Sequence, residues 1–330
     1  MHYSDYLQLD KILGAQQPES DRQGQPAHDE MLFIVIHQAY ELWFRQLLFE
    51  TDSVIGILGQ PALNDNSPEL QTIVHRLSRC ATILKVLVHQ IDIMETMTPM
   101  DFLDFRDKLR PASGFQSWQF KLLEAKLGLK YEHRYGQEYY LSQLRGPEID
   151  LIRSAEEGAS LLQLLNGWLE RMPFPPAEMA GSFWEDYRSR YQQSLTEAEK
   201  GNLAYFDAVL GGTGGAESRS LSPSACRAAV FIMLYRGYPL LQLPFQMLHQ
   251  LLEIDEQLST WRFRHMSMVH RMIGTRIGTG GSTGKDYLGA ALQRHHLFKE
   301  IAALTSFLIE RKRLPALSQE MERRLGFLAP

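Results

Sequence analysis

Two histidines, one arginine and a glycine-rich run are the residues of this chain best placed to do chemistry. His37 lies in Met31-Leu32-Phe33-Ile34-Val35-Ile36-His37-Gln38-Ala39-Tyr40-Glu41-Leu42-Trp43-Phe44, a stretch apolar on all sides that reads as a buried helix. Phe33 precedes His37 by one turn. A histidine there is either a core residue satisfied by a neighbour, or a pocket residue in an aromatic wall that exchanges one hydrogen bond with a ligand. The acidic residue one turn away is Glu41, expected to face elsewhere or to pair with Arg45. His265 lies in Trp261-Arg262-Phe263-Arg264-His265-Met266-Ser267-Met268-Val269-His270-Arg271-Met272-Ile273 and shares a helical face with Trp261, Met268, Val269 and Met272. Such a residue is either ordinary core or an axial haem ligand, because a macrocycle needs a dry slot and one nitrogen donor. His270 falls about 140° further around the helix, beside Arg271, and is expected to be partly solvated.

Arg106 follows Phe102 by one turn on the same helical face. It either forks onto a carboxylate or lies on the surface with its stem over the ring. The run Gly278-Thr279-Gly280-Gly281-Ser282-Thr283-Gly284-Lys285 invites a phosphate-loop reading, which its spacing rejects. Thr279 stands where Walker A needs glycine, and Asp286 follows Lys285 where Ser or Thr is required. A dinucleotide fingerprint fails too, since no strand precedes the run and Thr283 replaces the third glycine. What remains is either a plain surface loop or one rich in N–H groups and hydroxyls that folds over a small polar ligand. No CxxC pair, HExxH motif, Asp-rich calcium loop or Ser-His-Asp order accompanies these residues.

The elements that must position them are helical. From Leu70 to Val88 apolar residues recur at three- and four-residue spacing. Ser67-Pro68-Glu69 marks that helix's start, and Thr98-Pro99-Met100-Asp101 repeats the device with Asp101 in the capping-box position. Other helices are expected over 29–57, 115–127, 149–171, 225–235, 246–273 and 293–311, and no alternating strand pattern appears. The fold class expected is all-α, one domain over 1–330. The more polar 173–222 segment is read as a solvated, variable helical insertion ending in the glycine-rich loop Gly211–Ser222. A chain of 330 residues, 44% hydrophobic, can bury a large core, and a net charge of −5 gives no reason to expect nucleic acid or an anionic membrane as partner. With only Cys80 and Cys226, no leader-like N-terminus and no apolar run long enough to span a bilayer, a cytoplasmic location is expected.

Several stretches together resemble the tryptophan 2,3-dioxygenase family, close to its animal type. They are Tyr3-Ser4-Asp5-Tyr6-Leu7-Gln8-Leu9-Asp10, His28-Asp29-Glu30 through Phe44, Glu95-Thr96-Met97-Thr98, Asp104-Phe105-Arg106, Pro111-Ala112-Ser113-Gly114-Phe115-Gln116-Ser117, and Trp261-Arg262 through Ser282. They follow the family's order along nearly the whole chain, most weakly between Pro173 and Ser222. The resemblance implies a helical bundle enclosing haem b. It also implies insertion of both atoms of O2 into the C2–C3 bond of L-tryptophan, giving N-formylkynurenine, the first step of the kynurenine pathway. On that basis His265 is expected as the proximal iron ligand and His37 as the distal residue that hydrogen-bonds the indole N–H. Phe33 and Phe102 are expected to line the indole pocket. Arg106 is expected to pair with the substrate carboxylate, and Thr279 to contact the charged end of the amino acid. Ser113 and Gly114 are expected beside the haem. Tyr3, Tyr6 and Leu7 are expected to reach a neighbouring subunit's pocket in a homotetramer. The chain begins almost at the first motif, where the family usually carries an extension, so a looser subunit contact is expected. A related haem monooxygenase and a non-catalytic haem sensor are the alternatives; an amino-acid clamp at Arg106 and Thr279 argues against the sensor.

Overall fold

The computed structural model describes residues 1–61, 63, 67–134, 137–175, 177–213, 219–276, 289 and 295–326. Thr279 and most of its glycine-rich loop lie outside them. Among the described residues there is no strand. The helices run in the order α1 (Tyr3–Leu7), α2 (Leu9–Leu13), α3 (Glu19–Arg22), α4 (Glu30–Leu58), α5 (Pro68–Met94), α6 (Pro99–Arg106), α7 (Trp118–Leu127) and α8 (Gln137–Leu141). They continue with α9 (Gly146–Glu157), α10 (Leu161–Glu170), α11 (Ala177–Ser194), α12 (Asn202–Leu210), α13 (Pro223–Leu234), α14 (Pro239–Ile273), α15 (Lys299–Ala303) and α16 (Gln319–Leu325).

Three long helices make the frame: α4, α5 and α14, of 29, 27 and 35 residues. α5 lies between the other two and packs on both. Its apolar stripe, Leu70, Ile73, Val74, Leu77, Cys80, Ala81, Leu84 and Leu87, is wholly buried. Ser67 starts the helix as its spacing predicts, its hydroxyl accepting the N–H of Leu70 at 3.3 Å with Pro68 in the first turn. α7 and α10 pack on α4, α13 packs on α10, and α6 packs on α14. α6 therefore stands where both α4 and α14 can be reached from its eight residues.

Two helices expected as continuous are broken. The 149–171 stretch divides into α9 and α10 at Gly158, whose backbone is extended. Glycine is a poor helix former, and Ser160 with Gln163 offers a reciprocal cap, N–H to Oε1 at 3.0 Å, that starts a new helix. The described part of 293–311 is α15 followed by a tighter turn over Leu304–Phe307 and then extended chain. Here tertiary bonds take the carbonyls a longer helix would use: Tyr187 donates to Phe307 O at 2.7 Å and Tyr191 to Ser306 O at 3.0 Å.

The 173–222 segment also differs from the solvated insertion expected. Phe183, Tyr187, Tyr191, Phe206, Val209 and Leu210 are buried in the same core as α4, α5 and α14. The charges seen in sequence occupy its outer face, where Arg188 pairs with Asp207 at 2.6 Å. A second, smaller apolar cluster stands apart from that core. It joins Ile36 of α4, Met94 of α5, Met97, Phe105 of α6 and Met272 of α14, with Phe33, Phe102, Leu109 and Met268 against it.

Candidate functional site

At the small cluster Phe33, His37 and Phe102, three of the residues singled out by sequence, come together. Phe33 and His37 project from adjacent turns of α4, their ring centroids 4.1 Å apart. Phe102 of α6 stacks on Phe33 at 5.7 Å, and the fully buried Phe105 meets both edge-on at 5.5 and 5.4 Å. α6 is aimed by its own capping box: Thr98 N–H donates to Asp101 Oδ2 at 2.8 Å, and Asp101 N–H to Thr98 Oγ1 at 3.3 Å. Hydrogen bonds from the Thr98 hydroxyl and the Thr98 N–H hold the Asp101 carboxyl below its ordinary range. At the far end of α6, Arg106 is 5% exposed, which removes the reading of a surface arginine lying over Phe102.

The hydrogen bonding of His37 fixes its tautomer. Nδ1 lies 2.7 Å from the carbonyl oxygen of Phe33. A carbonyl has no proton to give, so Nδ1 carries the hydrogen and, in the neutral ring, Nε2 is an acceptor. Burial pushes the imidazole below its ordinary value, which the Phe33 bond and the charge of Glu41 only partly offset. Glu41 pairs with neither Arg45 nor His37: its carboxylate accepts Gln119 Nε2 at 2.8 Å. The ring is thus neutral near pH 7 and backed by an amide carbonyl, not by a carboxylate.

His265 reaches the same region from α14. Its ring lies flat against Trp261 one turn earlier, 5.0 Å between centroids and 5° between planes. Burial pushes it down to about 4, and His37, when protonated, acts in the same direction. Nδ1 is buried with no hydrogen-bond partner among the described residues. A neutral imidazole held by stacking, with a buried nitrogen unengaged, fits a metal ligand better than a structural histidine, whose polar atoms are ordinarily satisfied. Among the described residues no group of three or more His, Cys, Asp or Glu gathers to hold an ion. A metal on His265 would therefore take its remaining coordination from a prosthetic group, and the methionines of the small cluster, Met268 and Met272 on α14 with Met94 and Met97, suit the edge of an apolar macrocycle. His270 is exposed.

Other expected residues are not drawn in. Ser113 and Gly114 belong to a separate tight turn, where Ser113 Oγ accepts the N–H of Phe115 at 3.2 Å. Lys121 of α7 steadies that turn, its ammonium donating to Phe115 O and standing 4.1 Å over the Phe115 ring. Tyr3 and Tyr6 are 69% and 67% exposed, Leu7 is half-buried, and α1 buries none of its residues within this chain. Sequence reasoning missed Phe105, although its spacing from Phe102 places both on one helical side. It also missed a buried ionic group around Glu124, Arg134 and Arg262, which no local pattern announces.

No helix among the described residues is long and apolar enough to cross a membrane. The family model for tryptophan 2,3-dioxygenase matches residues 1–210 and 212–308. A tryptophan 2,3-dioxygenase of Alteromonas mediterranea is 42% identical over 354 aligned positions, covering 99% of this chain and 97% of the relative. One from Bdellovibrio bacteriovorus is 41% identical, with 99% and 98% covered. One from the mosquito Anopheles gambiae is also 41% identical, with 99% and 90% covered. With a match that runs from the first helix through α15 and takes in both the His37 and the His265 segments, this chain belongs to the tryptophan 2,3-dioxygenase family.

Proposed function

We propose that the protein is a haem-dependent tryptophan 2,3-dioxygenase, which opens the indole C2–C3 bond of L-tryptophan with O2 to give N-formylkynurenine. When bound, haem b supplies the activation of oxygen, and His265 is the side chain that would hold its iron. The observation that carries the reading is the pairing of His37 Nε2, an acceptor by the bond at Nδ1, with the aromatic wall of Phe33 and Phe102. An indole seated on that wall presents one N–H, and the acceptor beside it meets that donor.

The residues divide the substrate between them. Phe33 and Phe102 take the ring face and exclude water. Arg106, buried at the end of α6, takes the carboxylate, where a planar fork is worth most out of water. Thr279 is assigned the charged end of the amino acid by likeness to the family. Ser113 and Gly114 are assigned backbone packing near the haem on the same ground. The protein's contribution to rate is orientation, holding the indole ring on the wall of Phe33 and Phe102 with its N–H at His37; no strong general base is required or provided. Tyr3 and Tyr6, exposed on α1, and the half-buried Leu7 are assigned to a neighbouring subunit's pocket within a homotetramer. We read residues 1–330 as one domain, in a cytoplasmic enzyme acting at the head of the kynurenine pathway.

The test is spectroscopic and then chemical. Purified protein should show a Soret band, and anaerobic reduction followed by L-tryptophan and O2 should yield a product heavier than tryptophan by two oxygen atoms. A product carrying one added oxygen would identify a monooxygenase instead, and a Soret band without turnover would identify a sensor.

A further inference from the structure

Glu124, 4% exposed on α7, joins parts of the chain that sequence leaves far apart. Its Oε1 accepts Arg262 Nη2 at 2.7 Å, and its Oε2 accepts Arg134 Nη1 at 2.8 Å. Arg262 also donates Nη1 to the carbonyl of His295 at 3.0 Å, and His295 Nδ1 stands 3.6 Å from Glu124 Oε1. Beyond Arg134 the chain of bonds continues outward: Nε donates to Glu156 at 2.7 Å, and the Tyr140 hydroxyl donates to the same carboxylate at 2.9 Å. About two turns earlier on α14, Asp255 accepts the N–H groups of Leu297 and Phe298, both at 3.0 Å. The segment from His295 to Phe298 is thus fastened to the helix that carries His265.

Arg262 stands three residues before His265 and next to Trp261, whose ring the imidazole lies against. Its two amino groups reach partners on different segments, so the fork resists both rotation and sliding of α14. The leverage is considerable, since a 10° turn of a helix carries a side chain on its outer radius by about 1 Å. A buried ion pair adds little net stability over apolar packing, and its attested use is to select one arrangement among several.

We infer that Glu124 is a positioning residue for His265, acting through Arg262 to set the rotation of α14 at the haem site. The inference rests on the reading of His265 as iron ligand. It is tested on holoenzyme with Glu124→Gln, Arg262→Lys and, on the far side of Arg134, Tyr140→Phe. The readouts are the rate of haem transfer to excess apomyoglobin, the ferrous Soret position and the Tm. Glu124→Gln and Arg262→Lys should release haem roughly tenfold faster, the lower end of what supporting residues of metal sites contribute, and should shift the Soret band. Tyr140→Phe should lower Tm with haem release and spectrum unchanged. Should Glu124→Gln fail to fold, Arg262→Lys, which keeps the charge and loses the fork, decides alone. Unchanged haem release and Soret position in the variants of the pair would overturn the inference, as would equal acceleration by Tyr140→Phe. A normal Soret band in His265→Ala would instead refute the ligand assignment beneath it, so the two failures are separable.

Discussion

The imidazole of His265 and the indole of Trp261 lie parallel on one side of α14, 5.0 Å apart. The stack leaves the ring few ways to turn, and burial pushes the imidazole down to about 4. His270, on the same helix, is exposed and has no such wall. His265→Ala is expected to abolish stable haem incorporation, whereas His270→Ala should leave the Soret band intact. Loss of haem in His270→Ala alone would show that the assignment of the iron to His265 is wrong.

Arg106 is expected to recognise the substrate carboxylate. Removing one partner of a charge-assisted pair in a closed pocket costs about 2–5 kcal/mol. Arg106→Ala should therefore raise the KM for L-tryptophan by more than roughly tenfold. Tryptamine, which lacks the carboxylate, should be affected far less. Equal losses with both compounds would make Arg106 a support of α6 and nothing more.

The parts of this architecture legible in sequence are those written locally. Ser67-Pro68 and Thr98-Asp101 announce their helices because a cap is made within four residues. The stretch apolar on all sides reads as a buried helix, yet Phe33 and His37 are only half-buried and Met31, Val35 and Leu42 are exposed, because α4 turns one side away from the core. The break at Gly158 was missed because the apolar period runs straight across it, while Ser160 and Gln163 decide the matter by their side chains. The Glu124–Arg262 pair was out of reach altogether, since its partners are 138 positions apart and each stands alone among unrelated neighbours. The aromatic residues of α11 looked solvated for the converse reason: charges on the outer face set the composition, and Tyr187 and Tyr191 are buried by contacts with residues more than a hundred positions away.

Lys121 gives the fold a pH dependence of defined sign. Burial pushes its ammonium down from 10.5 to about 8, opposed by the nearby Glu124 and reinforced by Arg134. Below pH 8 folded and unfolded chains both hold the proton, and the full cost of burying the charge is present. Between 8 and 10.5 the unfolded chain binds more protons, so this group makes stability rise with pH. Measured by chemical denaturation, the difference between the parent and Lys121→Met should shift in favour of the parent across that window, by an amount on the order of 3 kcal/mol. A difference independent of pH would mean that the ammonium above Phe115 remains solvated.

The final prediction separates positioning from base catalysis at His37. A base that removes the indole proton must hold a positive charge in the transition state, and losing it costs about 10²–10⁴ in rate. His37 is poorly equipped for that. Its Nδ1 proton is given to an amide carbonyl, Glu41 is engaged by Gln119, and burial opposes the cation. As an acceptor for the indole N–H it needs none of this support, because a neutral hydrogen bond contributes only about 0.5–1.5 kcal/mol. His37→Ala should therefore retain haem and measurable turnover, reduced by roughly one order of magnitude. 1-Methyl-tryptophan, which has no N–H to offer, should be a slow substrate of this variant, where the smaller side chain makes room for the methyl group. Complete loss of turnover in His37→Ala, with haem and tryptophan binding unchanged, would restore the base.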